Sequence, residues 1–289
     1  MIDYDPHIWR DHLLDFRGSV LRKVLPRVLV VAVWAGVVGW FHQTILQVNV
    51  PSTAHALVGL ALGLLLVFRT NASYDRFWEG RRQWGTIINA TRNLARGSFA
   101  LMRDAPEVSE RLRLWTAGFA HAVMHRLRDQ SSLGEMAILL PSEQVASSIE
   151  SGNVPLAVSI HMSSSIADAR RCNALTDHEQ MLMDIQVANL IDAAGACDRI
   201  HRTPLPFAYV VHLRRCLAIY CLTLPFATLD GFGWGQVAVS TLVSFILLGI
   251  EEIGVEIEDP FGCDENDLPL EDFCRTVQRD LSLAANPIK

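Results

Sequence analysis

Residues 57–85 read LVGLALGLLLVFRTNASYDRFWEGRRQWG, and the character of the chain changes inside this stretch. From Ala56 to Phe68 no side chain is charged or polar. From Arg69 onward Arg69, Asn71, Tyr74, Asp75, Arg76, Glu79, Arg81 and Arg82 arrive among Phe77, Trp78 and Trp84. No Gly/Pro pair breaks the chain at the change, and residues 72–79 keep helical spacing. The stretch therefore predicts one long helix that passes from an apolar medium into a polar one. A helix in a soluble core has no reason to change its surroundings halfway along.

The apolar half has two faces. At about 100° per residue, Gly59 and Gly63 form a G-x-x-x-G patch on one side, where another helix could approach the backbone closely. Leu57, Ala61, Leu64 and Phe68 lie roughly opposite, at i, i+4, i+7 and i+11. Periodicity alone leaves open whether this second face meets lipid, core or a pore.

Composition supports a membrane setting. The chain has 289 residues, half of them hydrophobic, and 19% are charged where a soluble domain carries roughly 25%. Four apolar runs stand out, at Val28–Phe41, Ala56–Phe68, Leu217–Leu229 and Trp234–Ile250. Each is shorter than an uninterrupted span of about 20 residues. The flanking charges decide their reading. Arg10, Arg17, Arg22, Lys23 and Arg27 precede the first run, and Arg69, Arg76, Arg81 and Arg82 follow the second. Arg199, Arg202, Arg214 and Arg215 precede the third, while the connections His42–Thr53 and Asp230–Gly233 contain no Lys or Arg. That asymmetry predicts two helical hairpins with both termini on the cytoplasmic side. Mixed flanks such as Thr44–Val50 and Leu205–Val211 can lengthen the spans where they face protein or water, which favours an oligomer with a wet or protein-lined interior.

The remaining segments read as helix. Trp9, Leu13, Leu14 and Phe16 suggest an amphipathic helix within Met1–Val24 that lies against the inner face of the bundle. The N-terminus lacks the layout of a cleavable signal. Between residues 70 and 205, Ile87, Leu94, Phe99, Leu112, Trp115, Phe119 and Met124 recur at helical spacing. Leu133–Asn153 is broken by Gly134, Pro141 and Gly152 into a short helix with loops. Thr176 and Glu179 form a capping-box pattern ahead of a helix over about 181–200, which Pro204 and Pro206 then stop. The six cysteines show no C-x-x-C spacing and read as free thiols in a reducing compartment.

Motifs for catalysis are missing. There is no nucleotide-binding glycine loop and no Gly-x-Ser-x-Gly elbow, so no enzyme class has support. His121 and His125 share a helical face but lack a third ligand nearby in sequence, which points to a structural role. After the fourth run, Glu251, Glu252, Glu256, Glu258, Asp259, Asp264, Glu265, Asp267, Glu271 and Asp272 make an acidic segment around Pro260-Phe261-Gly262. Such a turn could present oxygens to a hard cation, or could draw cations to a channel mouth.

Four motifs occur in order: Phe68-Arg69-Thr70-Asn71-Ala72-Ser73-Tyr74-Asp75-Arg76-Phe77-Trp78-Glu79-Gly80-Arg81, then Thr203-Pro204-Leu205-Pro206-Phe207-Ala208-Tyr209, Leu224-Pro225-Phe226 and Glu258-Asp259-Pro260-Phe261-Gly262. Together they resemble the bestrophin family in its bacterial branch, over about residues 5–285. The resemblance implies an all-α membrane protein with four transmembrane helices per subunit and a large cytoplasmic helical region, assembled as a homopentamer around a central pore. It implies a single domain over 1–289, with spans at about 28–46, 54–79, 207–229 and 234–255 and the cytoplasmic region at about 80–205 and 256–289. The place is the inner (plasma) membrane, the partners are other copies of the chain, lipid and monovalent ions, and no nucleic acid is expected.

The family's hydrophobic neck falls on the face derived above, at Leu57, Ala61, Leu64 and Phe68. Its cytoplasmic aperture falls at Thr203, with Ile200 one turn earlier. Its calcium clasp falls at Glu256, Asp259, Asp264 and Asp267, although Cys263 and Asn266 interrupt the acidic run found in animal members. Leu57 and Ala61 offer none of the aromatic edges that face anions in that neck. An aliphatic neck and an acidic inner segment lean towards sodium and potassium, with a chloride channel of the same fold, or a transporter using the acidic turn, as alternatives.

Overall fold

The computed structural model describes residues 19–45 and 51–285. The amphipathic helix expected around Trp9 to Phe16 lies outside the described residues, as does most of the extension at Thr44–Val50. The described elements are helices: α1 (Leu21–Thr44), α2 (Ser52–Leu101), α3 (Pro106–Arg126), α4 (Ser142–Glu150), α5 (Val154–Arg171), α6 (Asp177–Arg202), α7 (Phe207–Phe232), α8 (Gln236–Glu256) and α9 (Leu270–Ala285), with short 3-10 turns at Gly134–Ile138 and Gly233–Gly235. The long helix read from residues 57–85 is present as α2, 50 residues without a break. At 1.5 Å per residue it is about 75 Å long.

Two compact units divide at Phe77/Trp78, Thr203/Pro204 and Asp267/Leu268. The first contains α1, the first half of α2, α7 and α8. Here α7 and α8 fold back on each other through Gly233, whose φ of 51° is one that side chains with a Cβ rarely adopt. The pairing is antiparallel: Thr228 and Ser240 hydroxyls lie 3.5 Å apart near the turn, and Arg214 Nε donates to Glu251 Oε1 at 2.9 Å at the far end. Helix α1 runs beside α8, where the buried Gln236 Nε2 donates to the Ala35 carbonyl at 2.6 Å. Gly39 makes that approach available, since a Cβ there would stand 3.1 Å from Gln236 Nε2. Pro225 interrupts the amide ladder of α7, and close by Trp34 Nε1 donates to the Leu222 carbonyl at 2.9 Å.

The buried stripe of α2 in this unit is His55, Leu62, Leu66, Arg69 and Ser73, spaced by helical repeats. Leu62 and Leu66 pack with Leu213, Leu217, Tyr220 and Leu224 of α7. Packing in an apolar medium gains little from hydrophobicity, so close fit and polar contacts hold the helices. His55 Nε2 and Thr223 Oγ1 are 3.1 Å apart, and Tyr209 Oη donates to the Leu65 carbonyl at 2.9 Å. Of the expected glycine pair, Gly59 is in close contact: a Cβ there would fall 2.5 Å from Tyr220 Oη. Gly63 has nothing within 4 Å of that position, so the small-residue patch receives a tyrosine ring rather than a helix backbone.

Among the described residues three helical runs are long and apolar enough to cross a membrane: Leu21–Thr44, Ser52–Leu101 and Phe207–Glu256, the last containing both α7 and α8. The four apolar runs of the sequence lie within these three.

The second unit is a helical bundle around α3, which is buried continuously from Trp115 to Met124. Helix α5 runs antiparallel to α3, through Arg111 with Ser165 and Asp168 at one end and Trp115 stacked on His161 at 4.2 Å further along. Helix α9 packs on α3 as well, with Cys274 against Met124 and Arg113 donating to the Leu281 carbonyl. Trp84, Ile87, Leu94, Leu112 and Phe119 are fully buried, each worth about 1.5–3 kcal/mol relative to exposure. Phe99, which recurs with them at helical spacing in the sequence, is exposed. The capping box of Thr176 and Glu179 is formed at the start of α6, and the 133–153 region is a 3-10 turn followed by α4.

Candidate functional site

The neck residues expected from the sequence lie on α2 in the first unit, on the side turned away from its buried stripe. Leu57 is 65% exposed, Leu64 56% and Phe68 57%, and Ala61 is exposed as well. The chain's own bundle uses the opposite face, through Leu62, Leu66 and Arg69. An apolar stripe of this length, unpartnered within its own subunit, requires either lipid or other copies of the chain to cover it.

The aperture pair is divided. Both residues belong to the second unit, where Ile200 is only 8% exposed and continues the buried stripe of α6 through Met183, Val187, Leu190, Ala193 and Cys197. A residue in that phase packs inside its own unit. Thr203, the residue that follows the last turn of α6, is exposed.

Charged groups missed as a cluster by the sequence reading gather in the first unit. Arg69 is 1% exposed and donates from Nη1 to Glu251 Oε1 at 2.8 Å, while its Nη2 stands 3.6 Å from Glu258 Oε2. Glu251 also receives Arg214, and Arg27 donates to Glu252 at 2.8 Å. Glu258 accepts the Leu205 amide at 3.1 Å through its side chain, and its carbonyl accepts Arg76 Nε at 2.9 Å. The signal was present in the sequence: Arg69 falls in phase with the buried stripe of α2, and a buried guanidinium needs a carboxylate. Glu251 and Glu252, at the end of an apolar helix, were the available partners.

The four residues expected to clasp calcium sit on and beside the turn that follows α8, and each has at least one oxygen engaged within the turn or by Lys23. Glu256 Oε2 accepts Asn266 Nδ2 at 2.8 Å, and Lys23 Nζ lies 3.2 Å from Glu256 Oε1 and 3.3 Å from Asp264 Oδ2. Asp267 Oδ2 accepts the Asp264 amide at 2.6 Å, and Asp259 Oδ1 accepts the Phe261 amide at 3.3 Å. Burial pushes the Asp267 carboxyl up to about 6 against the opposing pull of the Asp264 amide. Among the described residues no group of three or more His, Cys, Asp or Glu side chains is placed to hold a metal ion. The turn does not fit calcium. His121 and His125 likewise serve local structure: His125 Nδ1 is 2.8 Å from Gln130 Oε1, and His121 is buried with Glu135 at 3.8 Å.

The arrangement is that of a helical membrane protein with an exposed apolar stripe on its longest helix and no catalytic constellation among the described residues. Residues 1–282 match the family model described as Bacterial/Fungal Bestrophin protein, and the chain belongs to that family. With that membership an enzyme reading is set aside. A voltage-dependent anion channel-forming protein of Nostoc sp. is 38% identical over 278 residues, covering 94% of this chain and 90% of that one. A protein of the same description from Synechocystis sp. is 37% identical over 284 residues, covering 96% and 91%. The crystal structure of a bacterial bestrophin homolog from Klebsiella pneumoniae superimposes with a TM-score of 0.84 at 30% identity, over 94% of this chain and all of that one.

Proposed function

We propose that this chain is the subunit of a homopentameric ion channel of the inner membrane, acting over 1–289 as one bestrophin-type domain. Four spans per subunit, supplied by α1, the first half of α2, α7 and α8, place both termini in the cytoplasm. Five copies of α2 turn Leu57, Ala61, Leu64 and Phe68 towards a common axis, and Thr203 lies at the cytoplasmic aperture. The single observation that carries this reading is the exposed apolar stripe of α2, which points away from everything the subunit itself packs against. An apolar constriction of this kind admits ions only when it is wide or wet enough, so gating is by dewetting and small helix shifts.

The permeant ion is an anion, with chloride the simplest case. The lean towards cations rested on an aliphatic neck and an acidic inner segment, and part of that segment is paired from within: Glu251 by Arg69 and Arg214, Glu252 by Arg27, Glu256 by Lys23. Paired carboxylates contribute little field at a distance. The names of the Nostoc and Synechocystis relatives favour the same sign. Purified protein in planar bilayers is expected to give unitary current steps whose reversal potential in asymmetric potassium chloride follows the chloride gradient. Reversal at the potassium potential overturns the anion assignment, and saturable flux without unitary steps overturns the channel. Native mass measurement of the detergent complex is expected to return five copies.

A further inference from the structure

We infer that Lys23 is the resident cation of the acidic turn: its ammonium, carried in on α1, bridges Glu256 and Asp264 and closes the turn without a metal ion. The Nζ atom is 3.2 Å from Glu256 Oε1 and 3.3 Å from Asp264 Oδ2. These two carboxylates come from different places, the last residue of α8 and the turn beyond it. A group that bridges them does the geometrical work usually given to a bound divalent ion, which gathers oxygens from a folded-back segment.

Three further observations support the assignment. The Glu256 side chain is only 8% exposed, and its other oxygen is held by Asn266 at 2.8 Å, a setting in which a carboxylate calls for a cation opposite it. Lys23 stands in the first turn of α1, where the helix dipole disfavours a cation, and α1 has no acidic residue in that turn to compensate. The compensation comes from Glu256 and Asp264 instead. The turn is also fixed internally by Asp267 accepting the Asp264 amide, so its carboxylates are not free to swing towards an ion from solution.

This assignment stands whether or not the chain conducts, and its test reads stability rather than current. The full-length protein in detergent is melted in millimolar calcium chloride and in chelator, alongside Lys23→Met, Lys23→Arg, Glu256→Gln and the double variant Lys23→Met/Glu256→Gln. The native protein is expected to melt at the same temperature with calcium as with chelator. Lys23→Met is expected to melt a few degrees lower, Lys23→Arg to stay close to the native value, and the double variant to lose less than the two single losses added together. A native midpoint raised by calcium overturns the inference, as does a Lys23→Met variant that melts with Lys23→Arg, or strict additivity in the double variant. Should Lys23→Met fail to fold, the Lys23→Arg and Glu256→Gln midpoints and the calcium response of the native protein still decide it.

Discussion

Arg69 of α2 and Glu251 of α8 meet at 2.8 Å with their side chains 1% and 3% exposed, a buried ion pair between residues 182 apart in sequence. Arg214 shares the same Glu251 oxygen from α7, so one carboxylate ties three helices together. Stripping a buried charge of its only partner costs about 3–5 kcal/mol; here Glu251 keeps Arg214 when Arg69 is removed, and Arg69 keeps Glu258 when Glu251 is removed. Arg69→Met and Glu251→Gln are therefore each expected to lower stability by less than that, measured by thermal or denaturant unfolding of the purified protein. The double variant loses less than the sum; simple additivity would show that the two groups are not coupled.

Leu57 and Leu64 are the test of the neck. Replacing either with alanine widens an apolar constriction and lowers its tendency to dewet. Unitary conductance in planar bilayers is expected to rise in both variants. Unchanged current in both would remove α2's exposed stripe from the pore.

Gly59 and Gly63 look equivalent in sequence and are not equivalent in the fold. A Cβ at Gly59 would meet Tyr220 Oη at 2.5 Å, so Gly59→Ala forces the ring aside, at the roughly 1–3 kcal/mol typical of overpacking. Gly63→Ala meets nothing within the subunit and leaves the bundle's own packing intact. The unfolding midpoints of the two variants check this contrast. Any loss of the proposed pentamer from Gly63→Ala on size-exclusion chromatography assigns Gly63 to the contact between copies.

His161 gives the second unit a pH dependence. Burial against Trp115 pushes its imidazole below the usual histidine value. The unfolded chain then takes up a proton that the folded one resists, so the stability this group contributes is full above its unfolded value of about 6.5 and is lost as pH falls through the lower folded value. His121 is shifted the same way, chiefly by burial. His161→Phe, which keeps a ring on Trp115, is expected to flatten the decline of the melting temperature between about pH 7 and 5. An unchanged slope would mean that the imidazole is not held neutral.

Much of this architecture could be read from residue patterns because each pattern had one dominant cause. The lack of any break at Arg69 marked one continuous helix, α2, the Thr176–Glu179 spacing marked a capping box, and Pro204 with Pro206 marked the end of α6. The phase of Ile200 was legible as well: counting back through Cys197, Ala193 and Leu190 puts it on the buried side of α6, whereas alignment to a proline motif says only how far along the helix it lies. The acidic segment misled because charge in a sequence carries no sign of its partner. Lys23 and Arg27, more than 220 residues earlier, cancel what looked like an open anionic surface.

The contacts of α1 have a mechanical consequence. At one end Lys23 and Arg27 grip Glu256 and Glu252, and nearer the other Gln236 hooks the Ala35 carbonyl. Held at both points along its length, α1 cannot slide against α8 by a helical turn without giving up every one of these bonds together. The two helices therefore travel as a single strut, and α2 is coupled to it through Arg69 and Glu251, so any movement of its apolar stripe pulls on that strut.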